Sequence, residues 1–312
     1  MLYRKLGNSG LDVSVLGLGT NQFGGKVDEA QTARIIDQAI DIGLNFIDTA
    51  NMYGGGKSEL FIGNAVKGAK RHKVVIGTKW GYMGSRNQTT GDGSRQSMFQ
   101  WVEESLRRLS TDYIDLYMLH RGDSNTPVEE TLRGLDDLVH AGKVRYAGVS
   151  NLDGWQLVEA AHVAKAHRLN PFVSVQNAYS LLNRRVEAEL VPACLACGVS
   201  LIPYSPLQSG VLTGKYKAGQ PAPSGSRLAG SAYASRVLTD DNLMKAETLE
   251  HWALAHGRTL GELAHAWLLA NPAVDTVISG ATKPEQIVDN AKGVDWVLTP
   301  AELAEIDKLV PR

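Results

Sequence analysis

Four side chains capable of acid–base chemistry stand at or just after the ends of apolar, strand-like segments. Asp48 and Tyr53 lie in NFIDTANMYG, Lys79 ends VVIGTK, and His120 ends IDLYMLH. If these segments are parallel strands of one α/β barrel, their carboxyl ends converge on one mouth. A carboxylate, a phenol, an ammonium and an imidazole would then meet there, which is the equipment for moving a proton to or from a carbonyl oxygen.

The chemistry assigns each of these residues a role. A free tyrosine has a pKa of about 10, and a neighbouring ammonium such as Lys79 is expected to lower the pKa of Tyr53. Asp48 would hold that ammonium, and His120 would donate a hydrogen bond to the substrate oxygen. Tyr53 would be the general acid in reduction and the general base in oxidation. Such a set contains no nucleophile, so hydride from a nicotinamide cofactor is its natural partner.

Taken singly, each of the four residues also has an ordinary explanation. Asp48 can pair with a neighbour, Tyr53 can be an amphipathic turn residue, and Lys79 can be a surface lysine at a strand end. His120 can be a histidine whose hydrogen bonds are satisfied within the fold. Their joint occurrence at consecutive strand ends favours a shared site.

Strand-like and helix-like segments alternate along the chain. Apolar, β-like runs predict strands at 13–20, 45–50, 74–79, 114–120, 146–151, 173–179, 200–206 and 276–282. Apolar residues recurring at three and four positions predict helices that include 28–43, 57–67, 97–109, 127–142 and 154–168.

Eight strand–helix units predict a (β/α)8 TIM barrel with parallel strands. An open doubly wound sheet is the alternative, but the first turn, GLGTNQFGG, lacks the G-x-G-x-x-G spacing of a dinucleotide site. No linker divides the chain, so we expect one domain over 1–312. Long polar loops are predicted at 83–96, after strand three, and at 217–236, after strand seven. Both would shape the mouth, or both are surface insertions.

Composition argues against several functional classes. The chain has 312 residues, 43% of them hydrophobic, and a net charge of −1, with no basic stripe for nucleic acid and no polybasic tail for a membrane surface. No apolar run reaches the roughly 18 residues that span a bilayer, and MLYRKLGNSG has no secretory pattern. We therefore expect a cytoplasmic protein with reduced thiols, either a monomer or a small homo-oligomer.

Two short motifs come close to known sites and fail. GGGKS at 54–58 resembles the end of a phosphate-binding loop, but Asn51 stands where that motif requires glycine. Cys194 and Cys197 have C-x-x-C spacing without a second pair for zinc or a thioredoxin-like context. We therefore expect two small buried thiols and no metal site.

Several longer motifs together resemble the aldo-keto reductase superfamily, over about Tyr3 to Leu309. The matching stretches are GLGT (17–20), NFIDTANMYGGGKSELFIGNAV (45–66), GTK (77–79), DLYMLH (115–120), GKVRYAGVSN (142–151), VSVQNAYSLLNR (173–184), IPYSPLQSGVLTGKY (202–216) and ISGATKPEQIVDN (278–290). The resemblance implies a (β/α)8 barrel, NAD(P)H-dependent carbonyl reduction and a catalytic tetrad. Asp48, Tyr53, Lys79 and His120 carry that tetrad here.

The resemblance also implies which residues hold the cofactor. Those matching positions near the nicotinamide and its ribose are Gly19, Thr20, Asp48, Ser150, Asn151, Gln176 and Tyr204, with Tyr204 stacking on the ring. Those matching the pyrophosphate loop are Ser205, Leu207, Gly210 and Lys215. Those matching the adenosine half are Gly280, Thr282, Lys283, Gln286 and Asn290, where a helix N-terminus suits a phosphate.

The chain departs from the family pattern in two places. Many members place an arginine for the 2′-phosphate where GATKPEQ stands here, and Lys283 is its only cation, so NADPH is preferred and NADH stays open. Many members follow the histidine with proline or tryptophan, whereas Arg121 follows His120. Arg121 either favours an anionic or polar substrate or is a solvated loop charge.

The predicted substrate is a small carbonyl compound or alcohol. It would be bound by Gln22, Phe23, Trp80 and Arg121, with Trp80 and Tyr82 as an apolar wall. The alternative function is an NADP-binding regulatory or redox-sensing subunit with little turnover. The intact tetrad favours the enzyme.

Overall fold

The core of the molecule is a barrel of eight parallel strands, seen in a computed structural model that describes residues 1–82 and 91–311. The barrel strands, in their order around the sheet, are β10 (Val277–Gly280), β3 (Leu16–Gly19), β4 (Phe46–Asp48), β5 (Val75–Trp80), β6 (Ile114–Leu119), β7 (Val144–Ser150), β8 (Phe172–Ala178) and β9 (Ser200–Tyr204). The Leu201 amide donates to the Ala273 carbonyl (2.7 Å), which brings β9 against the segment leading into β10. The predicted (β/α)8 barrel is confirmed.

Helices surround the barrel. Their bounds are α1 (Glu29–Asp41), α2 (Lys57–Ala65), α3 (Arg95–Leu109), α4 (Val128–His140), α5 (Gly154–His167), α6 (Leu190–Cys197), α7 (Ala234–Val237), α8 (Asp240–Ala255), α9 (Leu260–Leu269), α10 (Pro284–Ala291) and α11 (Pro300–Leu309). Several begin at side-chain caps, as at Asp28 before α1 and Ser94 before α3. Short 3-10 turns lie at Tyr53–Gly56, Gly68–Lys73, Arg185–Glu187 and Gln208–Thr213.

Alternation along the strands divides the apolar residues into two layers. The inner layer comes only from strands and the amino-terminal hairpin and consists of Leu6, Val13, Phe46, Val75, Leu116, Met118, Ile202 and Ile278. The outer layer packs strand residues such as Ile47 and Tyr117 against the helices. Because Phe46 faces inward and Ile47 outward, Asp48 faces inward again, at the end of β4.

The amino-terminal residues form a hairpin that the sequence interpretation missed. The predicted strand at 13–20 is divided into β2 (Asp12–Ser14), which pairs antiparallel with β1 (Tyr3–Lys5), and the barrel strand β3. Gly7 lies in the hairpin turn at φ 54°, where an added Cβ would stand 2.5 Å from the Val173 carbonyl oxygen. The hairpin therefore packs tightly against the amino ends of the strands and fills that end of the barrel.

The two predicted loops have different outcomes. Of 83–96, positions 83–90 lie outside the described residues, and the remainder leads into α3, which begins at Arg95. The loop at 217–236 is present after β9, but it packs rather than projecting: Leu228 is buried, and its amide donates to the Tyr216 hydroxyl. Within the described ranges, no helix is long and apolar enough to cross a membrane.

Candidate active site

The barrel brings Asp48 and Lys79 into direct contact at its carboxyl end. The Lys79 ammonium donates to Asp48 Oδ1 (2.6 Å) and to the Thr49 carbonyl (2.8 Å). Both side chains are buried, Lys79 completely. Burial lowers the pKa of Lys79, and the Asp48 carboxylate opposes that shift by pairing with the ammonium.

Tyr53 and His120 lie directly beside this ion pair. The Lys79 nitrogen is 5.3 Å from the centroid of the Tyr53 ring. The rings of Tyr53 and His120 meet edge to face, with centroids 5.7 Å apart. The four side chains singled out in the sequence thus share one site.

The electrostatics of Tyr53 differ from the sequence expectation. The pKa of Tyr53 lies well above its usual value of 10.0, because burial penalises the phenolate and the charge of Asp48 and the phenol of Tyr204 add to the shift. The predicted lowering by Lys79 does not prevail, since that ammonium is already paired with Asp48. Tyr53 therefore keeps its proton at neutral pH, and the group that it presents is the neutral phenol.

His120 is a neutral imidazole at ordinary pH. Burial lowers its pKa from 6.5 to about 3, and the positive charges of Lys79 and Arg121 contribute. Its backbone amide donates to the Trp80 carbonyl (2.8 Å), whereas its buried Nδ1 has no hydrogen-bond partner among the described residues. A buried polar atom left in this state is suited to a ligand.

A buried hydroxyl cluster fastens the turn that carries Tyr53. The Ser58 hydroxyl lies 2.9 Å from the hydroxyls of both Thr20 and Thr49, at the ends of β3 and β4. The turn itself passes through three glycines with positive φ, Gly54 to Gly56, before α2 begins. The sequence interpretation missed the anchoring role of Ser58.

Glu59 is a second residue that sequence reasoning missed. It is fully buried, accepts from the Thr78 hydroxyl (2.6 Å), and pairs with Arg108 on α3 at 2.6 Å. Thr78 immediately precedes Lys79, so this network ties α2 to the strand that supplies the buried Lys79 ammonium. In the sequence, Glu59 is simply an acidic residue within the predicted helix 57–67. Its basic partner, Arg108, lies in a distant segment, so the pairing has no local signal.

A continuous hydrogen-bonded chain links Asp48 to Tyr204 across the mouth. Gln176 donates through Nε2 to Asp48 Oδ1 (2.8 Å), and its carbonyl accepts from the Ser150 hydroxyl (2.8 Å). Asn151 donates to the Ser150 hydroxyl (2.9 Å) and accepts from the Tyr204 hydroxyl (2.9 Å). Five of the residues predicted near the nicotinamide and its ribose therefore form one network, which fixes the half-buried Tyr204 ring at the edge of the mouth.

The residues predicted around the pyrophosphate lie in the tight turns after β9. Ser205 has φ 57° and Gly210 φ 95°. An added Cβ at Gly210 would stand 2.9 Å from Nζ of Lys215, so the lysine folds across that glycine. The Gly210 amide donates to the Leu207 carbonyl (2.8 Å). These turns thus bring backbone groups and the Lys215 ammonium close together at one place after β9.

The residues predicted around the adenosine half gather at the start of α10. Gln286 Oε1 accepts from the backbone amides of Thr282 (2.7 Å) and Lys283 (3.3 Å), which caps the helix. Lys283 is exposed, and Asn290 is half-buried on the same helix. Gly280, at the end of β10, pairs in register with Gly19 of β3.

The four predicted substrate residues differ in their exposure. Phe23 and Trp80 are fully buried in the outer apolar layer, with Trp80 stacked on Tyr117 at 4.4 Å between centroids, so neither offers surface to a ligand. Gln22 is half-buried, and its carbonyl accepts from two amides of its own turn. Arg121 is half-buried at the mouth, beside His120.

Comparisons with known proteins identify a family and several relatives of this chain. The model of the Aldo/keto reductase family matches residues 15–311. A rice (Oryza sativa subsp. japonica) protein named "Probable voltage-gated potassium channel subunit beta" is 39% identical over 99% of this chain and 97% of its own length. An Arabidopsis thaliana protein of the same name is also 39% identical with the same coverage.

A more distant relative comes from fission yeast, Schizosaccharomyces pombe. It is named "Putative voltage-gated potassium channel subunit beta" and is 37% identical over 99% of this chain and 93% of its own length. The family match over nearly the whole chain agrees with the eight-stranded barrel and with these relatives, and the chain belongs to the aldo/keto reductase family.

Proposed function

We propose that the protein is an NAD(P)H-dependent oxidoreductase that reversibly reduces small aldehydes and ketones to alcohols in the cytoplasm. The observation that carries the proposal is the buried Asp48–Lys79 pair with Tyr53 and His120 beside it. A single-domain organisation over 1–312 and the assignment of individual site residues stay predictions within this proposal.

The proton step follows from the states of Tyr53 and His120. A carbonyl oxygen placed between them accepts a hydrogen bond from the neutral imidazole and the proton of the phenol. The raised pKa of Tyr53 keeps that proton in place until negative charge develops on the oxygen, and an alkoxide is a far stronger base than a phenolate. In the oxidative direction, Tyr53 takes the proton back.

A nicotinamide dinucleotide fits the residues around the mouth. The Tyr204 ring is fixed through Asn151 and offers a stacking face, and the buried Nδ1 of His120 has no hydrogen-bond partner among the described residues. At Gly280 an added Cβ would come no closer than 3.8 Å to Gly19, which leaves an open edge for a ligand. When bound, the nicotinamide supplies the hydride to the carbonyl carbon.

We propose NADPH as the preferred cofactor, with NADH as the alternative. Lys283 is exposed at the N-cap of α10, where an ammonium and the helix terminus both favour a phosphate group. The ratio of rates with NADPH and NADH, in the parent chain and in Lys283→Ala, measures this preference directly.

The decisive experiment follows cofactor absorbance while the protein is offered a panel of aldehydes and ketones. Tyr53→Phe should reduce turnover by about two to four orders of magnitude, because it removes the proton donor and little else. Tyr113→Phe is the matched control, since Tyr113 lies under Arg71, away from the mouth. Turnover by Tyr53→Phe at the parent rate would refute the proposed mechanism.

The names of the relatives favour a second candidate function. They are called potassium channel beta subunits, so this chain is alternatively a subunit that binds NADP and regulates a membrane partner with little turnover. Stable co-elution with the intracellular part of a voltage-gated potassium channel, together with tight NADP retention and no turnover, would favour this role. Rapid turnover without a complex would favour the enzyme.

A further inference from the structure

Arg184 is a nearly buried arginine that joins the loop after β8 to the last helix, α11. Its guanidinium pairs with both carboxylate oxygens of Glu187, through Nε (2.8 Å) and Nη2 (2.9 Å). The third nitrogen, Nη1, donates to Asp307 on α11 (2.7 Å) and to the carbonyl of Val310, just after that helix (3.0 Å). The side chain is only 8% exposed and is held from both sides, and we call these four residues the Arg184 clamp.

A chain of hydrogen bonds leads from the Arg184 clamp to Tyr204 at the mouth. Glu187, which pairs with Arg184, also accepts from the hydroxyl of the buried Tyr179 (2.8 Å). The Tyr179 amide in turn donates to the Tyr204 carbonyl (3.3 Å). Tyr204 is therefore held at both ends, since its hydroxyl donates to Asn151.

A second link reaches the turns predicted around the pyrophosphate. Ser180, the residue after Tyr179, is buried, and its hydroxyl donates to Gln208 Oε1 (3.3 Å). Gln208 itself has φ 43°, and its neighbour Ser209 has φ 56°. With Ser205 at φ 57°, this short segment places three non-glycine residues in the left-handed region of the backbone map.

The strained segment at 205–210 depends on support from outside itself. Left-handed backbone at a residue other than glycine costs free energy and persists only where the surroundings enforce it. The loop at 179–187 supplies such support, and the Arg184 clamp fixes that loop to α11. The Arg184 guanidinium also packs over the Trp267 ring of α9, 4.9 Å from its centroid. Two outer helices thus bear, through one arginine, on the conformation of this segment.

We propose that Arg184 is a positioning residue for the dinucleotide, because it keeps the segment at 205–210 in its binding conformation before the cofactor arrives. This inference rests on the proposed use of NADPH or NADH, and it gives Arg184 no contact with cofactor or substrate. A segment that is held in advance need not be ordered when the ligand binds, which raises the affinity. Loss of the Arg184 clamp should therefore weaken cofactor binding and leave the proton step at Tyr53 intact.

The first test titrates NADPH into the protein and follows the fluorescence of the bound nicotinamide. Arg184→Met should raise the Kd for NADPH about tenfold, as expected when a strained conformation loses its support. Turnover at saturating NADPH should fall by no more than about twofold. Arg185→Met is the matched control, since Arg185 is the exposed neighbour, and it should leave the Kd unchanged. Ser180→Ala combined with Arg184→Met should weaken binding by less than the sum of the two single effects, because both changes interrupt one path.

The second test needs no cofactor and measures backbone hydrogen exchange in the ligand-free protein. The amides of Gly210 and Leu212 donate to the Leu207 carbonyl, at 2.8 and 3.2 Å. Both amides should exchange faster in Arg184→Met than in the parent, because the segment opens more often without its support. Arg185→Met should exchange as the parent does.

Asp307→Ala decides the question if Arg184→Met does not fold. It removes one partner of the guanidinium at an exposed position, and it should raise the Kd for NADPH about threefold. An unchanged Kd in the folded variant, or unchanged hydrogen exchange, overturns the inference. Binding of NADPH that depends on Arg184 without reduction of any carbonyl compound keeps the inference and overturns the proposed reductase. A parent protein that binds neither nucleotide overturns both.

Discussion

Two buried ion pairs lie at opposite ends of the barrel and are built differently. Asp48 and Lys79 meet at 2.6 Å at the carboxyl ends of the strands, and Arg71 and Asp115 meet at 2.7 Å at the amino ends. All four side chains are less than a tenth exposed. Their distances and burial are alike, so the contrast between them lies in their surroundings.

At the amino ends, every guanidinium nitrogen of Arg71 donates a hydrogen bond. Arg71 donates to the carbonyls of Val74 (3.1 Å) and Tyr113 (3.0 Å) as well as to Asp115, and its guanidinium stacks on the Tyr113 ring. Asp115 also accepts from the Ile76 amide (3.0 Å). Such saturation is what a buried charge requires when its role is structural.

The pair at the mouth is bordered by groups that are not saturated. His120 Nδ1 has no hydrogen-bond partner within the described part of the chain, and Tyr53 carries a proton that burial makes hard to remove. The comparison teaches that burial of an ion pair does not by itself identify a site. What distinguishes the two pairs is the buried imidazole nitrogen of His120, which has no hydrogen-bond partner among the described residues.

The largest predicted effect separates the two pairs by their readouts. Lys79→Met should reduce turnover by about two orders of magnitude or more, because the unpaired charge of Asp48 raises the pKa of Tyr53 further. Arg71→Met should leave the turnover of folded molecules unchanged but cost about 3–5 kcal/mol of unfolding free energy. Steady-state rates and urea denaturation measure the two quantities. Loss of turnover in folded Arg71→Met would break the comparison.

The next prediction concerns removal of both partners of each pair. Asp48→Asn with Lys79→Met should recover roughly 1–3 kcal/mol of the stability lost in Lys79→Met, because no buried charge is left unpaired. It should recover no turnover. Asp115→Asn with Arg71→Met should recover less stability, since the carbonyls of Val74 and Tyr113 stay without their donor. Equal recovery at the two ends would show that saturation does not distinguish them.

The third prediction is a pH dependence of stability that originates at the mouth. The pKa of His120 is about 3 in the folded chain and 6.5 in the unfolded chain, so its contribution is complete above 6.5 and is lost as the pH falls toward 3. The slope should reach at most about 1.4 kcal/mol per pH unit. His120→Asn should flatten the stability profile between pH 6 and 4 by about that slope, and an unchanged profile would contradict the prediction.

The smallest predicted effect sharpens the account of Asp48. Gln176→Leu removes one hydrogen bond to Asp48 Oδ1, and it should cost about 1 kcal/mol, which corresponds to about fivefold in turnover. Ser174→Ala on the same strand is the control, because the Ser174 hydroxyl has no hydrogen-bond partner among the residues described. A larger loss in Ser174→Ala than in Gln176→Leu would contradict the role given to the amide.

The barrel and the gathering of the tetrad could be predicted because both follow from local signals. Apolar runs located the strands, and parallel topology then required Asp48, Lys79 and His120 to share one end of the sheet. The hairpin could not be separated from the first strand, since Val13 and Leu18 belong to one apolar run and the break between them depends on tertiary contacts.

The orientation of Trp80 could have been predicted from the same pattern. Successive side chains of a strand face opposite sides, so an inward Lys79 requires an outward Trp80. The raised pKa of Tyr53 could not have been predicted, because it depends on the depth of burial and on Tyr204, which lies about 150 positions away in the chain. Glu59 and Arg108 were likewise beyond local reasoning, since each is polar on a segment that otherwise reads as a surface helix.

The amino-terminal hairpin bears on where a ligand can enter and leave the barrel. Leu6 and Val13 belong to the inner apolar layer, so the hairpin closes the barrel at the amino ends of the strands. A ligand that binds beside Tyr53 is therefore expected to enter and to leave at the carboxyl ends. Entry and exit would then share one path, so a product that dissociates slowly would block the binding of the next substrate.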